Sequence, residues 1–140
     1  MSRKKKVVRN IVILIVLSIF TFTRGIYLTP IVAHEASERS IHYGPSKVVH
    51  IEDFDGGKYI LCKYDKWISC NTINRTMYFF WTFGDQVTGI EVNKEKPLNF
   101  GWSGSVDAMK FYGIINDKNI DKVEVHLKDG SILSQTEFYD

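Results

Sequence analysis

The chain has 140 residues, 44% of them apolar and 14% aromatic, enough for one modest domain with its own core. Its net charge of +2 is unevenly spread: Arg3, Lys4, Lys5, Lys6 and Arg9 supply five cations, and the rest of the chain stands at −3. A mildly acidic remainder has no basic stripe to follow a phosphate backbone, so nucleic acid is excluded as an expected partner. Two cysteines, Cys62 and Cys70, make neither a disulfide framework nor a zinc site by themselves.

The basic tail, residues 1–9, leads into Ile11 to Phe22, an apolar run broken only by Ser18 and Thr21. A membrane offers no water to backbone polar groups, so a helix of about 20 apolar residues is the economical way across. The densest part here is shorter, and it reaches that length either backward through Val7 and Val8 or forward through Ile26, Tyr27 and Leu28. The forward path crosses Arg24, whose side chain can snorkel to the head groups, and sets Tyr27 at the interface. Residues 10–28 are therefore expected as a transmembrane signal-anchor helix whose partner is the lipid bilayer. The preceding Lys and Arg hold the N-terminus in the cytoplasm and attract anionic lipid. A cleaved signal peptide shares the basic and apolar regions but needs small residues in an A-x-A-like pattern, which TRGIYLTPIVAHEA lacks. A buried core helix would give the basic cluster no purpose.

Residues 29–140 are expected outside the cell as one β-rich domain. Thr29-Pro30 caps a short helix, with Thr accepting a backbone N–H and Pro at the first helical position. Val32, Ala33, Ala36 and Tyr43 read as its apolar stripe, with His34, Glu35, Glu38 and Arg39 on the wetter side and Glu35 and Arg39 spaced as an ion pair. Gly44-Pro45 ends it. The period then falls to two. Lys47 to Phe54, a turn at Asp55-Gly56-Gly57, Lys58 to Tyr64 and Trp67 to Arg75 read as successive strands. Met77 to Phe83 is apolar without alternation, which suits a strand at the centre of the sheet. Val87 to Val92 is a weaker strand, and Asn93 to Ser105 the longest loop. Phe111 to Ile115 reads as a strand, with a helical turn over Val106 to Tyr112 capped by Ser105 as the alternative. In Lys122 to Lys128, Val123, Val125 and Leu127 face one way and Glu124, His126 and Lys128 the other. Asp129-Gly130 then predicts a hairpin that brings Ile132 opposite Leu127, and Ser131 to Phe138 closes the domain. The expected class is α+β, mainly β: a transmembrane helix, one short helix, then an antiparallel sheet as a meander or sandwich.

The stretches HYGPSKVVH (residues 42–50) and FYGIINDKNIDKVEVHLKDG (residues 111–130) resemble small membrane-anchored extracytoplasmic proteins of unknown function in Gram-positive spore-forming bacteria. The resemblance covers most of the external part. Its motifs are turns and strands, so it implies an anchored protein and carries no activity across.

Candidate chemistry is sparse. His34-Glu35 opens like a helical zinc motif, but Glu38 stands where the second His is needed. His34, Glu38 and His42 share a helical face, and a solvated face is the expected reading. Asp117, Asn119 and Asp121 have the opening spacing of a calcium loop, yet Lys122 replaces its Gly and Lys128 its closing Glu. Gly101 to Ser105 lacks the glycine spacing of a nucleophile elbow. Asn74-Arg75-Thr76 fits a glycosylation pattern that matters only in a eukaryotic secretory pathway. No catalytic residue, metal ligand or cofactor is selected by linear spacing. A tight turn symmetric about Lys66 sets Cys62 opposite Cys70, neighbours able to form a disulfide in an oxidising compartment, or else two small apolar residues on one strand face. Phe100 and Trp102, on the glycine-bearing loop, are the candidate anchors for a protein partner at the cell surface, the alternative for Trp102 being to fold back over the sheet edge. The expected function is a single-pass membrane protein with an external, non-catalytic binding or structural domain. The alternatives are a small surface enzyme with an unrecognised site, or a secreted soluble domain after signal cleavage.

Overall fold

The computed structural model describes residues 2–23, 25–85, 89–105 and 108–139. Two helices come first: α1, Arg3–Thr23, and α2, Pro30–Ser40. The strands are β1 Lys47–Phe54, β2 Gly57–Tyr64, β3 Trp67–Thr76, β4 Phe80–Phe83, β5 Ile90–Glu91, β6 Leu98–Ser105, β7 Ala108–Ile115, β8 Val123–His126 and β9 Ile132–Gln135. All pairings are antiparallel, and the class is mainly β, as expected.

α1 starts inside the basic tail and stops at Thr23, short of the expected Leu28. Tyr27 instead forms an antiparallel bridge with Trp81, with both N–H to O bonds at 2.8 Å, so this residue joins the sheet. Arg24, expected to snorkel, lies outside the described residues. Among the described residues no helix is long and apolar enough to cross a membrane. The apolar side chains of α1 from Val7 to Phe20 are nonetheless exposed around the whole helix.

The main sheet runs β1-β2-β3-β4, with β5 also on β3. β3 is thus the central strand, and its residues 68–71 are all buried. Met77 to Phe83 was expected at the centre. Its first three residues form an exposed turn with Met77 and Tyr78 at positive φ, and only Phe80–Phe83 pairs, along one side of β3. An unbroken apolar run reports that no face is polar; it does not say how many strands flank it.

One face of the sheet carries Ile60 and Cys62 from β2 and Asn71 and Ile73 from β3, and α2 covers it. The core there is Ala33, Ile60, Cys62 and Ile73, with Tyr27, Val48, Trp81 and Phe83 packed around it. The other face carries Tyr59, Cys70 and Thr72, and the β6–β7 hairpin crosses it. Lys110 of β7 reaches Thr72 on β3 and lies 5.4 Å from the centroid of the Tyr59 ring. The expected loop from Asn93 to Ser105 is therefore mostly strand β6, paired from Leu98↔Ile115 to Ser105↔Ala108. Gly101 in that strand lies against Ile90 and the Tyr112 ring, where a Cβ would have to push in. Ala108 to Tyr112 is strand, which rules out the helical alternative there; Val106 lies outside the described residues, as does Val87 of the weak strand now reduced to β5.

β8 and β9 form a separate hairpin. The inward set Val123, Val125 and Leu127 is half-buried and the outward set exposed, as alternation predicts. The register differs by one: Ile132 pairs with His126, and Leu127 N–H donates to Ser131 O at 2.9 Å. Gly130 at φ 88 closes a three-residue loop, where Asp-Gly had implied two.

Candidate functional site

The Thr29 hydroxyl accepts the Val32 N–H at 3.2 Å and fixes the start of α2. From that start, positions 33, 34, 37 and 38 turn to the sheet. Ala33 and Ser37 are small enough to bring the helix close, and His34 and Glu38, one turn apart, enter the interface between them. The expected stripe was different: Val32 is exposed, Ala36 is half-buried, and the supposedly wet His34 and Glu38 are 2% and 3% exposed. The sheet explains the reversal. The face that α2 meets offers Cys62 and Asn71 among its isoleucines, where His34 finds partners that valine would not, and Glu38 is met by His34 and by Ser46 of the following loop. The Glu35–Arg39 pair is on the outer side at 3.7 Å, as expected.

His34 is the hub. Its Nε2 lies 3.4 Å from Glu38 Oε1, 3.4 Å from Cys62 Sγ and 3.5 Å from Ser46 Oγ, and its Nδ1 lies 3.0 Å from the Asn71 side-chain nitrogen. Glu38 also accepts the Ser46 N–H at 3.1 Å and a short hydrogen bond from the Ser46 hydroxyl. The loop bringing Ser46 there needs Gly44, at φ 92, because a Cβ on it would lie 2.5 Å from Glu38 Oε2. His42, which shares the helical spacing, is exposed at φ 56 and takes no part. One potential ligand atom each from His34, Glu38 and Cys62 lies within 4.8 Å of the others.

Burial pushes the His34 imidazole below its ordinary 6.5, against the opposing pull of Glu38 and Glu35. Burial likewise pushes the Cys62 thiol up to about 12, outweighing a hydrogen bond from Ser46, with Glu38 and Cys70 adding to the rise. The order thiol, imidazole, carboxamide in Cys62, His34 and Asn71 matches a cysteine nucleophile set. This one cannot attack a substrate as it stands, because Cys62 is fully buried and its thiol is held protonated. Open surface hollows are lined by residues 91–95 and by Arg3, Lys4, Val7 and Val8, away from this cluster.

The expected Cys62–Cys70 pairing is overturned. The hairpin turns on two residues, Asp65 at φ 51 and Lys66, so Tyr64 pairs with Trp67. That sets Cys62 opposite Ser69 and Cys70 opposite Leu61. A slip of one residue sends the two thiols to opposite faces, and both are free. Cys62 faces α2; Cys70 faces the β6–β7 hairpin, its thiol pushed up to about 11 by burial against the lowering effect of Lys110. Phe100 and Trp102 lie on the outer face of β6, 68% and 61% exposed, so Trp102 does not fold back over the sheet edge. Asp117 accepts the Asn119 backbone N–H at 2.9 Å, an ordinary turn.

The signal for the cluster was in the spacing of His34 and Glu38, but joining them to Cys62 on β2 and Asn71 on β3 required the β2–β3 register. No family model, curated protein or solved structure matches the chain.

Proposed function

We propose that this chain is a bilayer-anchored, non-catalytic binding module. α1 holds it in the membrane with the N-terminus in the cytoplasm, and residues 29–140 lie outside, where the β6–β7 face meets a protein partner. The observation that carries the reading is α1 itself: large apolar side chains exposed on every side, with no polar face and five cations at its start. Such a surface is out of place in water and natural in lipid. The apolar run alone, Ile11 to Thr23, spans about 20 Å, less than the hydrocarbon core of about 30 Å. The whole helix of 21 residues reaches that thickness when all five of its cations, Arg3, Lys4, Lys5, Lys6 and Arg9, snorkel to the head groups.

The domain end nearest the helix supports the same reading. The Tyr27–Trp81 bridge sets Leu28 beside the start of β4, where the turn before it exposes Met77, Tyr78 and Phe79. Tyr78 is 89% exposed, and aromatic rings with polar tips are favoured at the lipid interface.

The test is extraction and protease access. The full chain is expected to stay with membranes washed in alkaline carbonate, and protease added to intact cells is expected to remove the domain from residue 29 onward. Release by carbonate would remove the anchor, and protection until the cells are opened would reverse the orientation.

A further inference from the structure

Glu38 is a buried carboxylate that lacks a permanent cation. Among the described residues no lysine or arginine lies within ion-pairing distance of it; its only ion-pair neighbour is His34. Buried charges in proteins are paired or bound to metal, because an isolated ion loses too much hydration. Asn71 adds a second irregularity. Its Oδ1 is buried and has no hydrogen-bond partner, while its amide group lies 3.0 Å from His34 Nδ1. Turning that carboxamide over lets Oδ1 accept Nδ1–H. The lone pair of the imidazole then stands on Nε2, the atom that faces Glu38, Cys62 and Ser46.

We propose that His34 Nε2, a Glu38 carboxylate oxygen and Cys62 Sγ bind one divalent, borderline-soft cation between α2 and β2, with Zn2+ the best match to this nitrogen, oxygen and sulfur set. The spacing fits. Ligand atoms on a zinc tetrahedron with bonds of about 2.0–2.3 Å are about 3.3–3.8 Å apart. The His34 Nε2 separations from Glu38 Oε1 and Cys62 Sγ are both 3.4 Å. Three residues supply ligands and a water completes the tetrahedron, while the Ser46 hydroxyl, in a short hydrogen bond with Glu38 Oε1, holds that carboxylate in place. Charge also balances. The metal replaces the thiol proton, which leaves to solvent, and a dication with one thiolate, one carboxylate and a neutral imidazole is neutral overall. Asn71 holds the ligating tautomer from behind, as carboxylates and carbonyls do at other histidine metal sites. The role is structural, because the site is closed to solvent: it staples α2 to β2, joining residues far apart in sequence.

The experiment uses the full chain in mild detergent, stripped with chelator and kept reduced, then titrated with Co2+ and with Zn2+. Equimolar Co2+ is expected to give the strong visible bands of a four-coordinate ion and a near-ultraviolet sulfur-to-cobalt band, both displaced by equimolar Zn2+, and Zn2+ is expected to raise Tm. Cys70→Ala retains all of this, since that thiol points away. Cys62→Ala loses the sulfur-to-cobalt band and binds at least about 100-fold more weakly, and Asn71→Ala binds about 10–100-fold more weakly. A wild-type chain without the sulfur-to-cobalt band overturns the proposal, and so does a band that persists in Cys62→Ala. Should Cys62→Ala fail to fold, Cys70→Ala decides alone, because Cys62 is then the only thiol: the band present assigns it, the band absent refutes it.

Discussion

Lys110 is 6% exposed, and its ammonium is held under β3 by Thr72 and by Asp85 at 3.2 Å. Burial by itself raises the Asp85 carboxyl. Hydrogen bonds from Thr72, Ser103 and Lys110 and the Lys110 charge outweigh that, and the group titrates below its ordinary 3.8. A carboxyl with a depressed folded value adds stability above its unfolded pKa and loses it as pH falls through the folded one. The contribution is therefore complete above about pH 4 and fades below it. Asp85→Asn strands the ammonium, and the expected cost is about 2–4 kcal/mol at neutral pH, less than for a fully buried pair because Asp85 is partly exposed. In acid titrations followed by circular dichroism, the variant should lose less stability between about pH 5 and pH 2 than the parent does. Equal losses would mean that the pair is not what the acid transition reports.

At the scale of the element, β6–β7 has two unlike faces. The inner one presents Asn99, Ser103 and Lys110 to the rest of the domain: Asn99 bonds Asn93, and Ser103 and Lys110 bond Asp85. The outer one presents Phe100 and Trp102 to solvent, with Trp102 directly across from Phe111. Because Trp102 buries little, Trp102→Ala should cost no more than about 1 kcal/mol, the size of one cross-strand pair. That is far below the roughly 3–5 kcal/mol of a core tryptophan. Thermal melts check the stability, and crosslinking on intact cells checks whether the same change abolishes a specific partner. A loss of several kcal/mol would make the residue structural and remove it from the proposed binding face.

At the scale of the whole molecule, β3 is sandwiched between α2 and the β6–β7 hairpin, and the exposed 77–79 turn lies next to the Tyr27–Trp81 bridge. If the domain stands on the bilayer as proposed, that turn meets the lipid interface. Cys62 and Cys70 are buried and poor targets for labelling, so a cysteine placed by Tyr78→Cys can be spin-labelled selectively. In membranes, the label should be more accessible to oxygen than to a water-soluble nickel chelate. The opposite preference would show the turn to be in water and leave α1 as the only membrane contact.

Local chemistry determined much of this protein. Thr29-Pro30 starts α2, Lys47 to Phe54 is strand from end to end, Asp55-Gly56 turns the chain, and the alternation in β8 assigns its wet and dry sides. Each depends on neighbours a few residues apart, which is the range over which caps, turns and pleats act. Other features were decided by the tertiary structure. A two-residue turn at Asp65-Lys66 moved the register by one, which separated Cys62 from Cys70 and gave Cys62 to His34. His34 and Glu38 look like the wet side of an amphipathic helix until the face opposite is known to contain Cys62, Ser69 and Asn71. Hydropathy scores a side chain against water, whereas its burial depends on the partners it finds, and those partners come from strands nearly forty residues away in the case of Asn71 and His34.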